Sequence, residues 1–438
     1  MAQLITFDEP DLDAFAGLDK LGLTVTGQCV RDEQIWLRCE TVARPPEPCP
    51  VCCGPSRVKD YVTRDLAHVP VGWKPVTLMV RVRRYECRDG CRGPWREDMT
   101  AAAEPRAKLS HAAVQWGLYG VVVNHLAMNK IARSLRVAWK TANDAILDAG
   151  LRLLIDNPAR LDGVEVIGVD EHAWSHVSWK NKYVTVIIDL TPVRNGTGPA
   201  RLLDVVPGRS KGAFEAWLEE RPKEWCEKVK TVSMDGFSGF KTAATGALPG
   251  AEIVMDPFHV VRLVGDALDE TRRRIQQEST GRRGRKGDPL YGARRTLLTG
   301  ADMLNEKQAK RLEELFAPLI HAPVEAAWSI YQSIIAAYRE PNRQLGKMAL
   351  KAVVDKLLED VPKSLKELRK LARTLKQRLN DILAYFDNPG TSNGPTEAIN
   401  GRAEHLRGIA LGFRNLMNYR IRALLHCGGY RPLTHPYL

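Results

Sequence analysis

Val164-Glu165-Val166-Ile167-Gly168-Val169-Asp170 is a short apolar run that ends on an acid, and its reading decides the fold. Such a run fits a buried strand. Tyr183-Val184-Thr185-Val186-Ile187-Ile188-Asp189 and Arg201-Leu202-Leu203-Asp204-Val205-Val206 read as two more strands, close enough in sequence for an antiparallel meander. An amphipathic helix follows at 211–220, then a strand at 229–235, a short helix near 237–245 and a strand at 251–256. The order β-β-β-α-β-α-β predicts a mixed sheet with helices.

Three acids stand out against this pattern. Asp170 ends the first strand and Asp235 the fourth, while Glu397 sits in Ser392-Asn393-Gly394-Pro395-Thr396-Glu397-Ala398-Ile399-Asn400, a loop running into a helix start. If the first and fourth strands are neighbours, their end carboxylates converge, and an acid from a late helix can complete a cage of oxygen ligands. Hard oxygen ligands suit Mg²⁺ or Mn²⁺ bound together with substrate phosphates. Two such ions about 4 Å apart promote in-line phosphoryl transfer. Glu171, next to Asp170, competes for the same role, but alternation along a strand lets only one of them face the site.

Outward from this core the chain turns helical and basic. Residues 260–385 carry Arg272, Arg273, Arg282, Arg283, Arg285 and Lys286 around a Gly-rich break at 281–287. The segment 363–378 reads as an amphipathic helix with Lys366, Lys370 and Arg373 off its apolar face. Basic helices in this number suggest contact with a phosphate backbone.

Toward the N-terminus, Cys49-Pro-Val-Cys52-Cys53-Gly and Cys87-Arg-Asp-Gly-Cys91 are two cysteine pairs in Gly/Pro-rich turns, separated by short strands. Four thiolates from two such turns can close a tetrahedral site around one structural Zn²⁺. Cys53 is an alternative to Cys52, and His68 a weaker competitor. The strand between the pairs alternates, which places Arg81 and Arg83 toward solvent. Residues 105–155 read as three helices, the last two in a helix-turn-helix pattern that would bring Lys140, Thr141 and Asn143 to base edges or phosphates.

The full chain has 438 residues, 64 Lys+Arg against 52 Asp+Glu, and a net charge of +12, which favours a polyanionic partner. Its length predicts two to four domains. With 44% hydrophobic and 26% charged residues, a largely disordered or fibrous chain is excluded. No apolar run is long enough to cross a bilayer and the acidic N-terminus lacks the features of a signal peptide, so a cytoplasmic, nucleoid-associated protein with no membrane partner is expected.

With these motifs in place, the chain resembles the DDE transposases of bacterial insertion sequences, the ISL3 group in particular. The resemblance rests on Ile167-Gly168-Val169-Asp170-Glu171-His172, Met234-Asp235-Gly236-Phe237-Ser238, Asp256-Pro257-Phe258-His259-Val260-Val261 and Asn393-Gly394-Pro395-Thr396-Glu397-Ala398-Ile399-Asn400-Gly401, with the run from Arg407 to Asn415 after them. It implies a multidomain α+β protein whose RNase H-like core is interrupted by an all-helical insertion and preceded by zinc-ribbon and helix-turn-helix DNA-binding domains. The expected divisions are 1–100 for the zinc-ribbon-like module, 101–160 for the helix-turn-helix, 161–262 for the first part of the core, 263–388 for the insertion, and 389–438 for the C-terminal core helices. It also implies a catalytic triad of Asp170, Asp235 and Glu397 holding two Mg²⁺ or Mn²⁺ ions, with His259 near the metals. Arg407 and Arg414 join the expected DNA contacts. Terminal inverted repeats and target DNA are the expected partners, bound by at least a dimer. A non-catalytic DNA-binding regulator and an RNase H-like structure-specific nuclease are the competing expectations.

Overall fold

The computed structural model describes residues 9–42, 44–175 and 182–434. The chain divides into two compact units, Met1–Arg160 with Ala403–Leu438, and Leu161–Arg402.

The first unit is built on a five-stranded sheet of β1 (Leu23–Val30), β2 (Ile35–Thr41), β3 (Ser56–Val71), β4 (Lys74–Cys87) and β5 (Trp95–Arg96), in the order β1-β2-β4-β3 with β5 on β4. Where short strands were expected, β3 and β4 run for 16 and 14 residues and pair as one long antiparallel hairpin. Period-2 alternation sends Val76, Leu78, Val80 and Val82 of β4 into a core with Leu37, Cys39 and Leu66. Ser110 couples this sheet to the helices: it caps α1 (His111–Val122) by accepting from the Ala113 N–H, and its hydroxyl also meets His68 Nδ1 at 2.9 Å. Helices α2 (Met128–Ser134) and α3 (Trp139–Gly150) pack with α1 through Ile131 and Ile146, and the bare Gly117 makes the room. The helix Leu416–Cys427 packs against α1 and α3. By contacts the last long helix groups with the N-terminal helices, which bury its apolar face.

The second unit holds β6 (Val166–Ala173), β7 (Tyr183–Asp189), β8 (Arg201–Pro207), α4 (Lys211–Glu219), β9 (Thr231–Met234), α5 (Ser238–Ala247) and β10 (Glu252–Met255). The sheet order is β10-β9-β6-β7-β8, with β7 and β8 antiparallel to their neighbours and β9 and β10 parallel to β6. The first and fourth strands of this sheet are thus adjacent. On one face Ile167, Val169, Ile187 and Val232 pack under α4 and α5 through Phe214, Trp217 and Phe240.

A helical segment follows: α6 (Pro257–Thr280), α7 (Glu306–Phe316), α8 (Ala322–Arg339), α9 (Arg343–Glu359), α10 (Lys366–Gln377) and α11 (Leu379–Asp387). Its own core includes Val264, Leu268, Tyr331, Leu350 and Leu371. Gly281 ends α6 in the left-handed conformation at φ 67°, opening the basic break. The chain then enters α12 (Gly394–Ile409), which carries Glu397 in its first turn. None of the helices in the described residues is long and apolar enough to cross a membrane.

Candidate active site and zinc centre

Two of the acids are placed by the strand register. Val169 pairs with Met234 as the last pair of the parallel β6–β9 ladder, so Asp170 and Asp235 follow side by side where that ladder ends. Asp235 follows the end of β9, but Asp170, expected to end its strand, lies within β6, which continues along β7 to Ala173. Alternation gives Asp170 and Glu171 different surroundings. Asp170 shares a face with Gly168, where an added Cβ would come within 3.0 Å of Thr396 Oγ1 on α12. Gly168 therefore lets α12 sit directly on the sheet, and Asn400, one turn past Thr396, donates from Nδ2 to Asp170 Oδ2 at 2.9 Å. Glu171 lines the rim of the same cavity and is paired to Arg209 at 3.3 Å.

The third acid is held by a braced turn. Asp256, 2% exposed, caps α6 by accepting from the Phe258 N–H at 3.0 Å, and its other oxygen accepts from the Asn393 N–H at 2.6 Å. Asn393 in turn accepts from Thr396 Oγ1 at 3.0 Å, and Ser233 of β9 donates to Thr391 O at 2.7 Å. One buried carboxylate thus fixes both the helix carrying His259 and the turn that launches Glu397. The loop after β9 has its own support: the Phe237 N–H donates to Asp235 Oδ1 at 2.9 Å, and Arg378 donates to Gly236 O at 3.4 Å while paired to Asp381 at 2.8 Å.

Asp170, Asp235, Glu397 and His259 line a single cavity of about 420 Å³. Burial raises the Asp170 carboxyl to about 6 against the opposing pull of the Glu171 N–H; the Asp235 and Glu171 charges add to the rise, and His259 offsets part of it. Several uncompensated negative groups therefore meet here, an environment that a divalent cation would relieve. The donor set, carboxylate oxygens with one side chain oriented by an amide, fits Mg²⁺ or Mn²⁺. The sequence reading missed Arg262 and Asp266, which line the same cavity. They lie three and seven residues beyond His259 on α6, a helical spacing that puts all three on one face. It also missed Asn400 and Asp256, whose roles depend on contacts far apart in the chain.

The zinc ligands come from the base of the β3–β4 hairpin. Ser56 pairs with Cys87, which brings the turn holding Cys49 and Cys52 against the turn holding Cys87 and Cys91. Among the described residues these four cysteines are the one set of three or more metal-ligating side chains whose ligand atoms all lie within 4.8 Å of one another. Sulfur separations of 3.2 Å (Cys49–Cys91), 3.6 Å (Cys52–Cys87) and 3.5 Å (Cys87–Cys91) come near the edge of about 3.8 Å that a tetrahedron with Zn–S of ~2.3 Å requires. Cys53 is excluded because it occupies the left-handed position of the turn at φ 54° and stands outside the set. His68 is excluded because it is buried between Ser110 Oγ and Ala16 O. Desolvation works against ionisation of Cys49, yet the N–H groups of Cys52 and Val51 and the thiols of Cys91 and Cys52 hold it at about 6. The Cys91 thiol is pushed up, chiefly by Cys49 and Cys52. Four crowded thiols cannot all ionise without a cation.

The expected DNA contacts divide by exposure. Arg273, Arg282, Arg283, Arg285, Lys286, Lys366, Lys370, Arg373 and Arg414 are exposed. Arg81 is exposed beside Glu40 and stacks 3.8 Å over Tyr61, whereas Arg83 is drawn to the buried Glu97 at 2.9 Å. Lys140 is exposed and pairs with Asp144, Thr141 is half-buried, and Arg407 pairs with Glu404. Two of the expected contacts are buried. Asn143 is 5% exposed on the packed face of α3, and Arg272 is 6% exposed, donating to Asp269 Oδ1 at 2.8 Å and Leu290 O at 3.1 Å.

A family model described as a transposase, of ISL3 type, matches residues 167–423, and one described as the zinc-finger of transposases IS204/IS1001/IS1096/IS1165 matches residues 45–91. The transposase for insertion sequence element IS1001 of Bordetella parapertussis is 24% identical over 373 residues, covering 84% of this chain and 85% of the relative. The transposase for insertion sequence element IS1557 of Mycobacterium tuberculosis is 26% identical over 328 residues, covering 69% of this chain and 68% of the relative.

Proposed function

The chain belongs to the ISL3-type transposase family, matched over more than half of its length, and on that footing we propose that it cuts and joins DNA at the ends of a bacterial insertion sequence. The observation that carries this reading is the convergence of Asp170 on β6, Asp235 just past β9 and the first-turn glutamate of α12 on one polar cavity. The sheet order, a three-stranded meander extended by two strands parallel to its first, supports an RNase H-like core, with α6–α11 as its insertion. The pair α2–α3 is read as a helix-turn-helix.

Asp170, Asp235 and Glu397 are the proposed metal ligands. Two Mg²⁺ or Mn²⁺ ions held there supply activation of a water or a 3′-hydroxyl and neutralisation of the leaving oxygen. Asn400 orients Asp170 by occupying Oδ2. His259 and Arg262, one turn apart, offer donors to the non-bridging oxygens of the scissile phosphate. Asp256 holds the α6 and α12 ends in register without touching substrate. No covalent protein–DNA intermediate is needed, so no Ser, Tyr or Cys nucleophile is assigned. The Cys49–Cys52–Cys87–Cys91 centre would hold one structural Zn²⁺, and the exposed arginines and lysines would track flanking or target backbone. Two ends must be held at once, so at least a dimer is expected.

A strand-transfer assay with precut ends tests the reading. Joined product in Mg²⁺ or Mn²⁺ is expected. Hydrolysis without joining would make the protein a nuclease, and end binding without either reaction would make it a regulator.

A further inference from the structure

Trp73 is fully exposed, at 100%. It stands at the tip of the β3–β4 hairpin, where Gly72 takes φ 59° and Val71 pairs with Lys74. Burial stabilises a fold only where apolar area leaves water, so an indole in this position contributes nothing to the folded chain. The Trp73 indole is the most exposed large apolar side chain among the described residues, and the hairpin tip carries it clear of the sheet.

The tip is held at a fixed place beside α3. Gln34, buried in the turn between β1 and β2, donates from Nε2 to Thr77 Oγ1 of β4 at 2.7 Å, and its Oε1 accepts from Arg136. Arg136 lies in the turn between α2 and α3, in the left-handed conformation at φ 52°. One glutamine therefore ties the hairpin to the turn that launches α3. Trp73 precedes Thr77 by four residues, about 13 Å along an antiparallel strand. At the start of α3, Trp139 is half exposed and Lys140 exposed. Asp32 and Glu33 are exposed in the same β1–β2 turn as Gln34, which disfavours phosphate there. A contact at the tip is thus carried by the indole rather than by charge.

We propose that the β3–β4 hairpin is a wing that places Trp73 in the minor groove of duplex DNA beside the segment contacted by α3. This rests on the DNA-binding reading of the N-terminal module given above. Apolar side chains enter minor grooves as wedges at base steps. A hairpin braced to the turn before α3 fixes the register of the two contacts on one duplex.

The test uses the full zinc-loaded chain and a duplex of the element's terminal repeat, over a series of salt concentrations. Trp73→Ala should weaken binding about tenfold or more without changing the slope of log Kd against log salt, since it removes no phosphate contact. Trp73→Phe should keep most of the affinity. Lys140→Ala should instead lower the slope by about one. Progressive trimming of the duplex from the hairpin side should reach a length at which wild type and Trp73→Ala bind alike. Unchanged zinc content and circular dichroism will show that Trp73→Ala is folded, as the exposure of the side chain requires. Equal binding of wild type and Trp73→Ala to the long duplex would overturn the wing, as would a loss seen only with single-stranded DNA. If wild type itself fails to bind the repeat, it is the DNA-binding reading of the module that falls.

Discussion

Asp256→Ala should damage both stability and catalysis, because its carboxylate braces the two helix ends that bear catalytic groups. The variant removes the α6 cap, a loss of about 1 kcal/mol. It also leaves the buried Asn393 N–H without its charged acceptor, a further ~2 kcal/mol. Together these give about 3 kcal/mol. At roughly 2–4 °C per kcal/mol for a unit of this size, the melting midpoint should fall by about 6–12 °C. Once Asn393 is released, Glu397 can shift relative to Asp170 and Asp235, and a displacement near 1 Å slows chemistry by up to ~10²-fold. Asp256→Asn keeps an oxygen for one N–H but turns its NH₂ toward the other, so it should lose most of the same stability. The assay pairs thermal melting with single-turnover cleavage well below the melting transition. A brace lowers the midpoint and the rate together and leaves the Mn²⁺ dependence unchanged. An unchanged midpoint with cleavage restored by excess Mn²⁺ would refute this reasoning and make Asp256 a metal ligand.

Other outcomes follow from the same geometry. Cys49→Ser or Cys87→Ser should release about one zinc per chain by metal analysis, while Cys53→Ser retains it. Asp170 has a folded pKa of about 6, raised above its usual value of 3.8, so the folded state holds its proton more tightly and stability falls as pH rises between those values. Asp170→Asn should therefore melt higher than wild type near neutral pH, by at most about 3 kcal/mol, and match it near pH 3.5; the reverse ordering would contradict the buried site. End binding should weaken steeply with salt. Arg273→Ala should lessen that slope, whereas Arg272→Ala should lower the melting midpoint and leave the slope alone.

Local signals carried much of the fold. Apolar strands leading into acids, turns bearing paired cysteines and a Pro-Thr-Glu helix start are each written within a few residues, and the structure contains all of them, although β6 runs on past Asp170 to Ala173. The choice between Cys52 and Cys53 was not legible, because it turns on which residue takes the left-handed turn position. Nor was the burial of Asn143 and Arg272, since charge and polarity do not reveal which face of a helix is packed. Arg262 and Asp266 could have been found by extending helical spacing from His259. Asp256 offered a partial signal, an aspartate before a proline at a helix start. Its bond to Asn393 links residues 137 apart in sequence, and only the folded chain reveals it.

The central claim is that Asp170, Asp235 and Glu397 act together as the ligands of the catalytic metals. The most direct measurement is Mg²⁺-dependent cleavage of a terminal-repeat duplex by Glu397→Gln, run beside its affinity for the same duplex. The account predicts wild-type end binding with cleavage reduced to background. Cleavage at or near the wild-type rate by a folded Glu397→Gln would contradict it.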